Sequence, residues 1–194
     1  MKRHVIANCD FSIDMQKSEL RSYIRSVKKG YTSEELSFMS ENLCRQILVS
    51  DRWKESRIVL LYHALPDEVD TKWLLEDALR EHKTILLPVV QGENLTLCLY
   101  DGQTREGAYG IQEPVGKPFV DLKFIELAIV PGMAFDGKNC RLGRGKGYYD
   151  RLLPLLNASY KIGLCFPFQM CENIPTETHD IPMDEVVSRI ECQK

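Results

Sequence analysis

The chain has 194 residues with 25 basic and 28 acidic side chains, which gives a formal net charge of −3. Hydrophobic residues at 44% and charged residues at 27% are ordinary globular values, so we expect a single domain over residues 1–194. The mild acidity and a pI near 5.9 argue against general binding to nucleic acid.

The seven cysteines are spread along the chain without a C-x-x-C pair. This spacing is typical of reduced thiols and favours neither a disulfide framework nor a zinc site. No apolar run approaches the roughly 18 residues that a membrane span needs, and the start MKRHVIANCD lacks the apolar core of a signal peptide. We therefore expect a cytoplasmic protein that does not contact membranes, and separately we expect a monomer.

The first predicted helix covers about residues 14–28. Leu20, Ile24 and Val27 repeat with helical spacing and predict its buried face. A second stripe is basic and consists of Lys17, Arg21, Arg25 and Lys28. Such a stripe is usually a solvated face; the functional alternative is that Lys17 and Arg21 reach a phosphate while Arg25 and Lys28 remain solvent charges.

A second helix is predicted to begin at Thr32, because Thr32 and Glu35 have the spacing of a capping box. It reaches about Val49, and its inward face is expected to carry Leu36, Met39, Leu43 and Ile47.

The first clear strand is predicted at residues 57–63 (RIVLLYH), and Asp70 or Thr71 can cap the helix that follows. That helix is expected to bury Trp73, Leu74, Ala78 and Leu79. Loops after strand ends are where α/β sheets place ligands, so His63 and Glu68 are candidate site residues. An ordinary loop role is the alternative for both.

Two further strands are predicted at residues 84–90 and 95–100, joined by a turn of residues 92–94, and the second alternates like a sheet edge. A loop at residues 107–114 (GAYGIQEP) follows. Its single aromatic residue, Tyr109, could stack on a flat heterocycle, since aromatic faces suit planar rings.

The most informative stretch follows a predicted buried strand at residues 125–131 (IELAIVP) and reads GMAFDGKNCRLGRGKGYYD over residues 132–150. Within the glycine loop, residues 143–147, Gly143, Gly145 and Gly147 alternate with Arg144 and Lys146. Glycines let backbone N–H groups approach an anion closely, and the local basic charge favours a polyanion. A solvated basic turn is the alternative.

Residues 132–139 (GMAFDGKN) resemble a Walker phosphate loop, but Asn139 stands where the magnesium-binding hydroxyl belongs, so a true Walker loop is doubtful. A helix is predicted after the glycine loop, shortened or kinked by Pro154. Strands are then predicted at residues 160–166 and 186–190. Between them His179, Asp180, Asp184 and Glu185 could hold a metal or simply cap turns. These elements predict an α/β fold, a mostly parallel, Rossmann-like three-layer sheet with helices on both faces.

The run RLGRGKGYYDR, with the preceding GMAFD, resembles the signature of the 5-formyltetrahydrofolate cyclo-ligase family, also called 5,10-methenyltetrahydrofolate synthetases. Weaker matches extend from Lys17 to Asp184 and include Glu68 with Thr71 and the stretch around Tyr109. The resemblance implies conversion of 5-formyltetrahydrofolate to 5,10-methenyltetrahydrofolate with ATP and Mg²⁺, through phosphorylation of the formyl oxygen.

The residue pattern and the resemblance together give a set of expected site residues. Arg144 and Lys146 are expected to neutralise the triphosphate during catalysis. The ATP-binding set is Lys17, Arg21, Arg141, Leu142, Gly143, Arg144, Gly145, Lys146, Gly147, Tyr148 and Tyr149. The folate-binding set is His63, Glu68, Tyr109, Arg144 and Tyr148. Asp150 is the predicted Mg²⁺ ligand because it is the only acid beside the loop, and the resemblance adds Asp184. Two other functions stay open at this point: a small-molecule kinase, and a nucleotide- or phosphosugar-binding module without turnover.

Overall fold

A six-stranded sheet forms the centre of the computed structural model, which describes residues 16–107, 112–178 and 180–191. Its strands run in the order β11-β9-β6-β1-β2-β3. The eleven strands of the described chain are β1 Ile58–Leu60, β2 Thr84–Gln91, β3 Asn94–Tyr100, β4 Thr104–Glu106, β5 Gln112–Pro114, β6 Leu127–Pro131, β7 Ala134–Asp136, β8 Arg141–Leu142, β9 Tyr160–Leu164, β10 Met170–Cys171 and β11 Glu185–Val187. The α-helices are α1 Lys17–Lys28, α2 Ser33–Val49, α3 Asp51–Glu55, α4 Lys72–Arg80 and α5 Tyr148–Leu152.

Every pairing in the large sheet is parallel except that of β2 with β3, which form an antiparallel hairpin. Its turn contains Gly92, whose φ of 62° favours glycine. The strand order reverses between β1 and β6: β2 and β3 lie on one side of β1, and β6, β9 and β11 on the other. In open parallel sheets, ligands bind beyond the carboxyl ends of the strands at such a reversal.

Helices cover both faces of the sheet, as predicted. Helices α1 to α4 pack on one face, where Ile24, Leu43 and Trp53 meet strand residues such as Val59 and Ile129. The other face carries α5 and the 3₁₀ turn Leu153–Leu155, which pack on strand residues that alternate with the first set. This alternation gives the central strands two buried faces and explains their continuous apolar sequence.

The helix boundaries follow local chemistry. Thr32 is the N-cap of α2: its hydroxyl accepts from the backbone N–H of Glu35 at 3.2 Å, and the Glu35 carboxylate accepts from the Thr32 N–H at 2.9 Å. The predicted capping box is therefore confirmed. Helix α5 is short, as Pro154 predicts, because a 3₁₀ turn replaces its continuation. The predicted start of α1 before Gln16 lies outside the described residues.

The Walker look-alike at residues 132–139 does not form a phosphate loop. It forms β7 and the turn into β8, with Asn139 at a positive φ of 63°, and the element directly after it is the strand β8 rather than a helix. Strand β7 also pairs with β10, which makes a small three-stranded sheet. The fully buried Phe135 ring docks this sheet onto β9, since a side chain at Gly163 would overlap it.

Several predicted boundaries were wrong. The strand predicted at residues 57–63 ends at Leu60, which leaves His63 in the following loop. The predicted strand at residues 186–190 is instead β11, and Gln112–Pro114 pairs with β4 rather than forming open loop. Leu79, expected inside, is exposed at the end of α4, and Leu155 is exposed beside Pro154.

Within the described ranges, no helix combines the length and apolar character that crossing a bilayer requires.

Candidate functional site

A cleft of about 370 Å³ opens beyond the carboxyl ends of β1 and β6, at the reversal of the strand order. One side is polar and comes largely from the glycine loop and α5, and the other is mostly apolar and comes from β2, β3 and the loop after β1. Its lining residues are Arg25, Tyr62, His63, Leu65, Glu68, Leu87, Pro88, Val90, Leu95, Gln112, Pro131, Gly132, Arg141, Gly143, Arg144, Lys146, Gly147, Tyr148, Tyr149 and Asp150.

The glycine loop needs its glycines for conformation and for close approach. Gly145 and Gly147 adopt φ angles of 90° and 71°, which side-chain-bearing residues rarely adopt. Gly145 also lies against the guanidinium of Arg21, and the Arg21 Nε donates to the Gly143 carbonyl at 2.7 Å. Helix α1 is thereby fastened to the loop, which brings the predicted Arg21 to the site.

Arg141 lies under the glycine loop with only 5% of its side chain exposed. Its Nη2 donates to Asp150 Oδ1 at 2.6 Å, and its Nη1 donates to the Pro131 carbonyl at 3.2 Å. The guanidinium lies 5.3 Å from the centre of the Tyr149 ring, and a side chain at Gly143 would meet it. One buried cation therefore connects the end of β6, the glycine loop and α5.

Arg144 turns from the loop across the cleft to two adjacent carboxylates. Its Nε donates to Glu68 Oε1 at 3.0 Å, and its Nη2 donates to Asp67 Oδ1. Glu68 is the more enclosed acid, with 9% of its side chain exposed against 29% for Asp67. The structure therefore places Glu68 and Arg144, both predicted folate-binding residues, in direct contact.

The pKa values of the two acids shift in opposite directions. Burial raises the pKa of Glu68 above its ordinary value, and the charge of Arg144 only partly opposes the rise. Burial also raises the pKa of Asp67, but the hydrogen bond and charge of Arg144 outweigh it, so the net pKa shift of Asp67 is downward.

The remaining basic residues of α1 differ in their contacts. Lys17 pairs with Glu177 at 3.0 Å and with Asp180 at 2.9 Å, both in the C-terminal segment. Arg25 is exposed at the mouth of the cleft, and Lys28 donates to the Pro66 carbonyl. The expectation that Lys28 is a solvent charge was wrong, because it fastens the loop that carries Glu68.

Lys146 and Tyr148 face the open side of the cleft. Lys146 is exposed, and its ammonium makes no ion pair with any residue that the structure describes. The Tyr148 ring lies beneath the guanidinium of Arg151, with 5.7 Å between them, beside the turn at Gly92. The side chain of Leu142 is instead buried in the core, so only its backbone is available at the site.

Two polar atoms are buried at the cleft without a hydrogen-bond partner in the described chain: His63 Nε2 and the Tyr149 hydroxyl oxygen. The His63 ring packs edge-on against Tyr100 at 5.4 Å, and burial lowers the pKa of His63 although the charge of Asp70 opposes this. Burial raises the pKa of Tyr149 well above its ordinary value. Buried polar atoms without partners are costly, and at a cleft they are available to a ligand.

The structure does not bring every predicted residue to the cleft. Asp184 lies at the amino end of β9, where its Oδ2 accepts from the Lys161 backbone N–H at 2.7 Å, and it does not line the cleft. Tyr109 and His179 fall outside the described residues. Among the described side chains, no three potential metal ligands of the His, Cys, Asp or Glu type cluster together.

The sequence did not predict two features of the site: Asp67 as a second acid bound to Arg144, and the apolar wall of the cleft. Asp67 directly precedes Glu68, and nothing in its local sequence predicts contact with a loop far away along the chain. The wall uses the end of β2 and the start of β3, namely Leu87, Pro88, Val90 and Leu95. Their buried-strand pattern was visible, but only the sheet topology shows that they face the glycine loop.

The sequence model of the 5-formyltetrahydrofolate cyclo-ligase family matches residues 13–189. A probable 5-formyltetrahydrofolate cyclo-ligase of Schizosaccharomyces pombe is 31% identical over 196 residues, covering 91% of this chain and 96% of that protein. The NMR structure of Aquifex aeolicus 5,10-methenyltetrahydrofolate synthetase superimposes with a TM-score of 0.79 at 34% identity, covering 93% of this chain and 95% of that chain. A Mycoplasma pneumoniae synthetase shares the fold, with a TM-score of 0.73 at 21% identity and coverages of 89% and 98%.

The buried Tyr149 hydroxyl has no hydrogen-bond partner in the described chain, and its removal tests this observation. Tyr149→Phe removes a buried group that has no hydrogen bond, so we expect the free energy of unfolding to stay the same or rise by about 1 kcal/mol. In the matched control Tyr62→Phe, the lost hydroxyl donates to the Val69 carbonyl at 3.0 Å, so stability should fall by about 1 kcal/mol. Urea unfolding of the ligand-free protein measures both; an equal loss in the two variants would mean that Tyr149 has an internal partner.

Proposed function

Because the chain belongs to the 5-formyltetrahydrofolate cyclo-ligase family, we propose that this enzyme converts 5-formyltetrahydrofolate to 5,10-methenyltetrahydrofolate, with ATP as co-substrate and Mg²⁺ as cofactor. One observation supports this most directly. A cationic glycine loop and a half-apolar wall with a buried carboxylate face each other across a single cleft. A polyanion and a flat, polar-edged ring system could therefore meet there.

The reaction needs activation because the formyl carbonyl is a poor electrophile with a poor oxygen leaving group. In the proposed first step, the formyl oxygen attacks the γ-phosphorus, an O–P bond forms, and ADP departs with the bridging oxygen. The lone pair of N10 then attacks the formyl carbon, the C–O bond breaks, and phosphate leaves with the formyl oxygen. The N10 proton is released to solvent. Phosphoryl transfer of this kind depends on positioning and charge neutralisation.

The described residues supply these functions without a protein nucleophile. We assign Lys146 to the γ-phosphate, because its ammonium is exposed at the cleft and makes no ion pair in the described chain. Arg144 and Arg21 lie on either side of the same loop. Lys17 is assigned to the phosphates from the resemblance alone; its present partners, Glu177 and Asp180, would have to yield.

The folate is assigned to the opposite side. The buried Glu68 carboxylate can accept two parallel N–H donors of the pterin, which favours planar bidentate recognition. The apolar residues of β2 would cover the ring, with Tyr148 at the open end. His63 Nε2 offers one further polar contact from the wall.

Asp150 is the side chain that fits Mg²⁺ best. It lines the cleft directly after the glycine loop, and 36% of its side chain is exposed. Mg²⁺ usually takes one or two carboxylates and completes its shell with waters and phosphate oxygens, so a single protein ligand suffices. When bound, the ion would neutralise phosphate charge. Asp184 remains the alternative ligand, although it lies outside the cleft lining.

We further propose a cytoplasmic location and a monomeric state. The described cysteines Cys44, Cys98, Cys140, Cys165 and Cys171 are free thiols, which supports the reducing compartment and does not bear on the oligomeric state.

The proposed activity predicts a methenyl chromophore. Purified protein with ATP, Mg²⁺ and 5-formyltetrahydrofolate should generate the absorbance band of 5,10-methenyltetrahydrofolate and release one phosphate for each product. Lys146→Ala should lower kcat/KM for ATP about 10-fold or more, since a charge-assisted contact is worth roughly 1.5–3 kcal/mol. The control Lys138→Ala removes another exposed lysine, one that does not line the cleft, and it should leave kcat/KM unchanged.

Phosphate release without the chromophore would contradict the proposal and favour a kinase or an ATPase. Saturable ATP binding without any phosphate release would favour a binding module.

The magnesium assignment predicts a separable effect of Asp150→Asn. If Asp150 binds the ion, the Mg²⁺ midpoint should rise steeply, both for turnover and for the thermal shift that Mg²⁺ gives the ATP-bound protein. If Asp150 serves only Arg141, the ligand-free protein should lose stability because a buried cation loses its counter-charge, while both midpoints stay the same. If neither Mg²⁺ midpoint changes in Asp150→Asn, Asp184 becomes the proposed Mg²⁺ ligand.

A further inference from the structure

The contact between Arg144 and two adjacent acids connects the two sides of the cleft. Arg144 belongs to the glycine loop, assigned to phosphates, whereas Glu68 belongs to the loop after β1, assigned to folate. The guanidinium binds Glu68 through Nε at 3.0 Å and Asp67 through Nη2. Asp67 and Glu68, here called the carboxylate pair, therefore both contact Arg144, and the charge of Lys28 also acts on them from the end of α1.

In this arrangement Arg144 is poorly available to ATP. A phosphate that approaches the guanidinium must displace an acid that already binds it, and it meets the negative charge of both acids. The contact is partly buried, so solvent screens it less than it would a surface ion pair. The same contact restricts Glu68. Its Oε2 already accepts from the Leu65 backbone N–H at 3.0 Å, so incoming pterin donors must compete with Arg144 for Oε1.

The carboxylate pair lies on a turn that hydrogen bonds hold in place, whereas Arg144 reaches the pair with a long side chain. The backbone N–H of Glu68 donates to the Leu65 carbonyl at 2.9 Å, which closes a tight turn. Lys28 donates to the Pro66 carbonyl within that turn and fastens it to α1. Arg144, in contrast, has a long side chain with several rotatable bonds, so its guanidinium can move while the loop backbone, held by Arg21 at Gly143, stays in place.

We infer that Arg144 is a shared switch between the two substrates, with Asp67 as its positioning residue. Without folate, the carboxylate pair holds Arg144 away from the phosphates. Folate donors that bind Glu68 weaken this hold and release the guanidinium toward ATP. This inference rests on the proposed function and adds to it that folate and ATP bind with positive coupling.

Thermodynamic linkage makes the coupling reciprocal: folate must raise the affinity for ATP by the same factor by which ATP raises the affinity for folate. Couplings between sites typically amount to about 5- to 150-fold. The switch also predicts an effect that simple folate binding by Glu68 does not. Neutralising either acid should improve nucleotide binding in the absence of folate, because Arg144 is then held less tightly.

Calorimetric titration with a non-hydrolysable ATP analogue and Mg²⁺ tests the inference. For the unaltered chain, saturating 5-formyltetrahydrofolate should lower the Kd of the analogue about 5-fold or more. Without folate, Glu68→Gln and Asp67→Asn should each lower the Kd several-fold. Glu68→Gln should also lose most of the coupling. In an Arg144→Ala background, neither substitution should tighten binding.

Glu93→Gln is the matched control for general electrostatics. It removes one exposed negative charge from the turn between β2 and β3, where the Glu93 carbonyl accepts from Arg151 beside the loop. Its Kd for the analogue should match that of the unaltered chain. A thermal melt checks the folding of each variant, and Asp67→Asn carries the test alone if Glu68→Gln unfolds, because Asp67 is the more exposed acid.

Unchanged analogue affinity in both acid variants would overturn the switch, as would equal tightening in Glu93→Gln. If the unaltered chain makes methenyltetrahydrofolate and either result is found, only the switch fails. If it neither binds the analogue nor forms product, the proposed function fails with it.

Discussion

The site depends on one buried cation, the guanidinium of Arg141. With 5% of its side chain exposed, this residue must be paired, and Asp150 and the Pro131 carbonyl supply the partners. Removing a partner from a buried charge is strongly destabilising, so these contacts fix the relative positions of β6, the glycine loop and α5. The glycine at position 143 then becomes a requirement, since a side chain there would meet the same guanidinium. Contacts beneath the glycine loop thus set its shape, which leaves its upper surface for a ligand.

A second constraint is charge balance within the described chain. Most basic groups near the cleft already have an acidic or carbonyl partner: Lys17 with Glu177 and Asp180, and Arg144 with the carboxylate pair. Such pairing keeps a cation-rich cleft stable before a polyanion arrives. It also means that a ligand must replace the acids that now pair with these basic side chains. Part of the interaction energy with the ligand is therefore offset by the ion pairs that are lost. Among the described residues, Lys146 and Arg25 are exposed at the cleft without an ion pair, and Lys146, which belongs to the glycine loop, is the one we assign to the reacting phosphate.

The sequence predicted much of the fold and most of the loop. Buried-strand runs and the Thr32 capping box are local signals, and they agree with the structure because burial and capping depend on neighbouring residues. Boundaries failed where tertiary pairing decides them, as at residues 61–63, where β1 ends early and leaves His63 facing the cleft. Asp67 could not be predicted as a partner of Arg144, since their contact depends on β1 and β6 being adjacent in the sheet. Membership of the 5-formyltetrahydrofolate cyclo-ligase family, in contrast, was visible from one unusual run of residues.

In the proposed reaction, this cleft brings the γ-phosphoryl group of ATP onto the formyl oxygen of the folate. Isotope transfer from the formyl group to phosphate tests this step. 5-Formyltetrahydrofolate that carries ¹⁸O in the formyl group is converted in unlabelled water, and the released phosphate is analysed by mass spectrometry. We expect one ¹⁸O atom in each phosphate, because the formyl oxygen leaves bound to phosphorus. Unlabelled phosphate, with the ¹⁸O released into water, would contradict it.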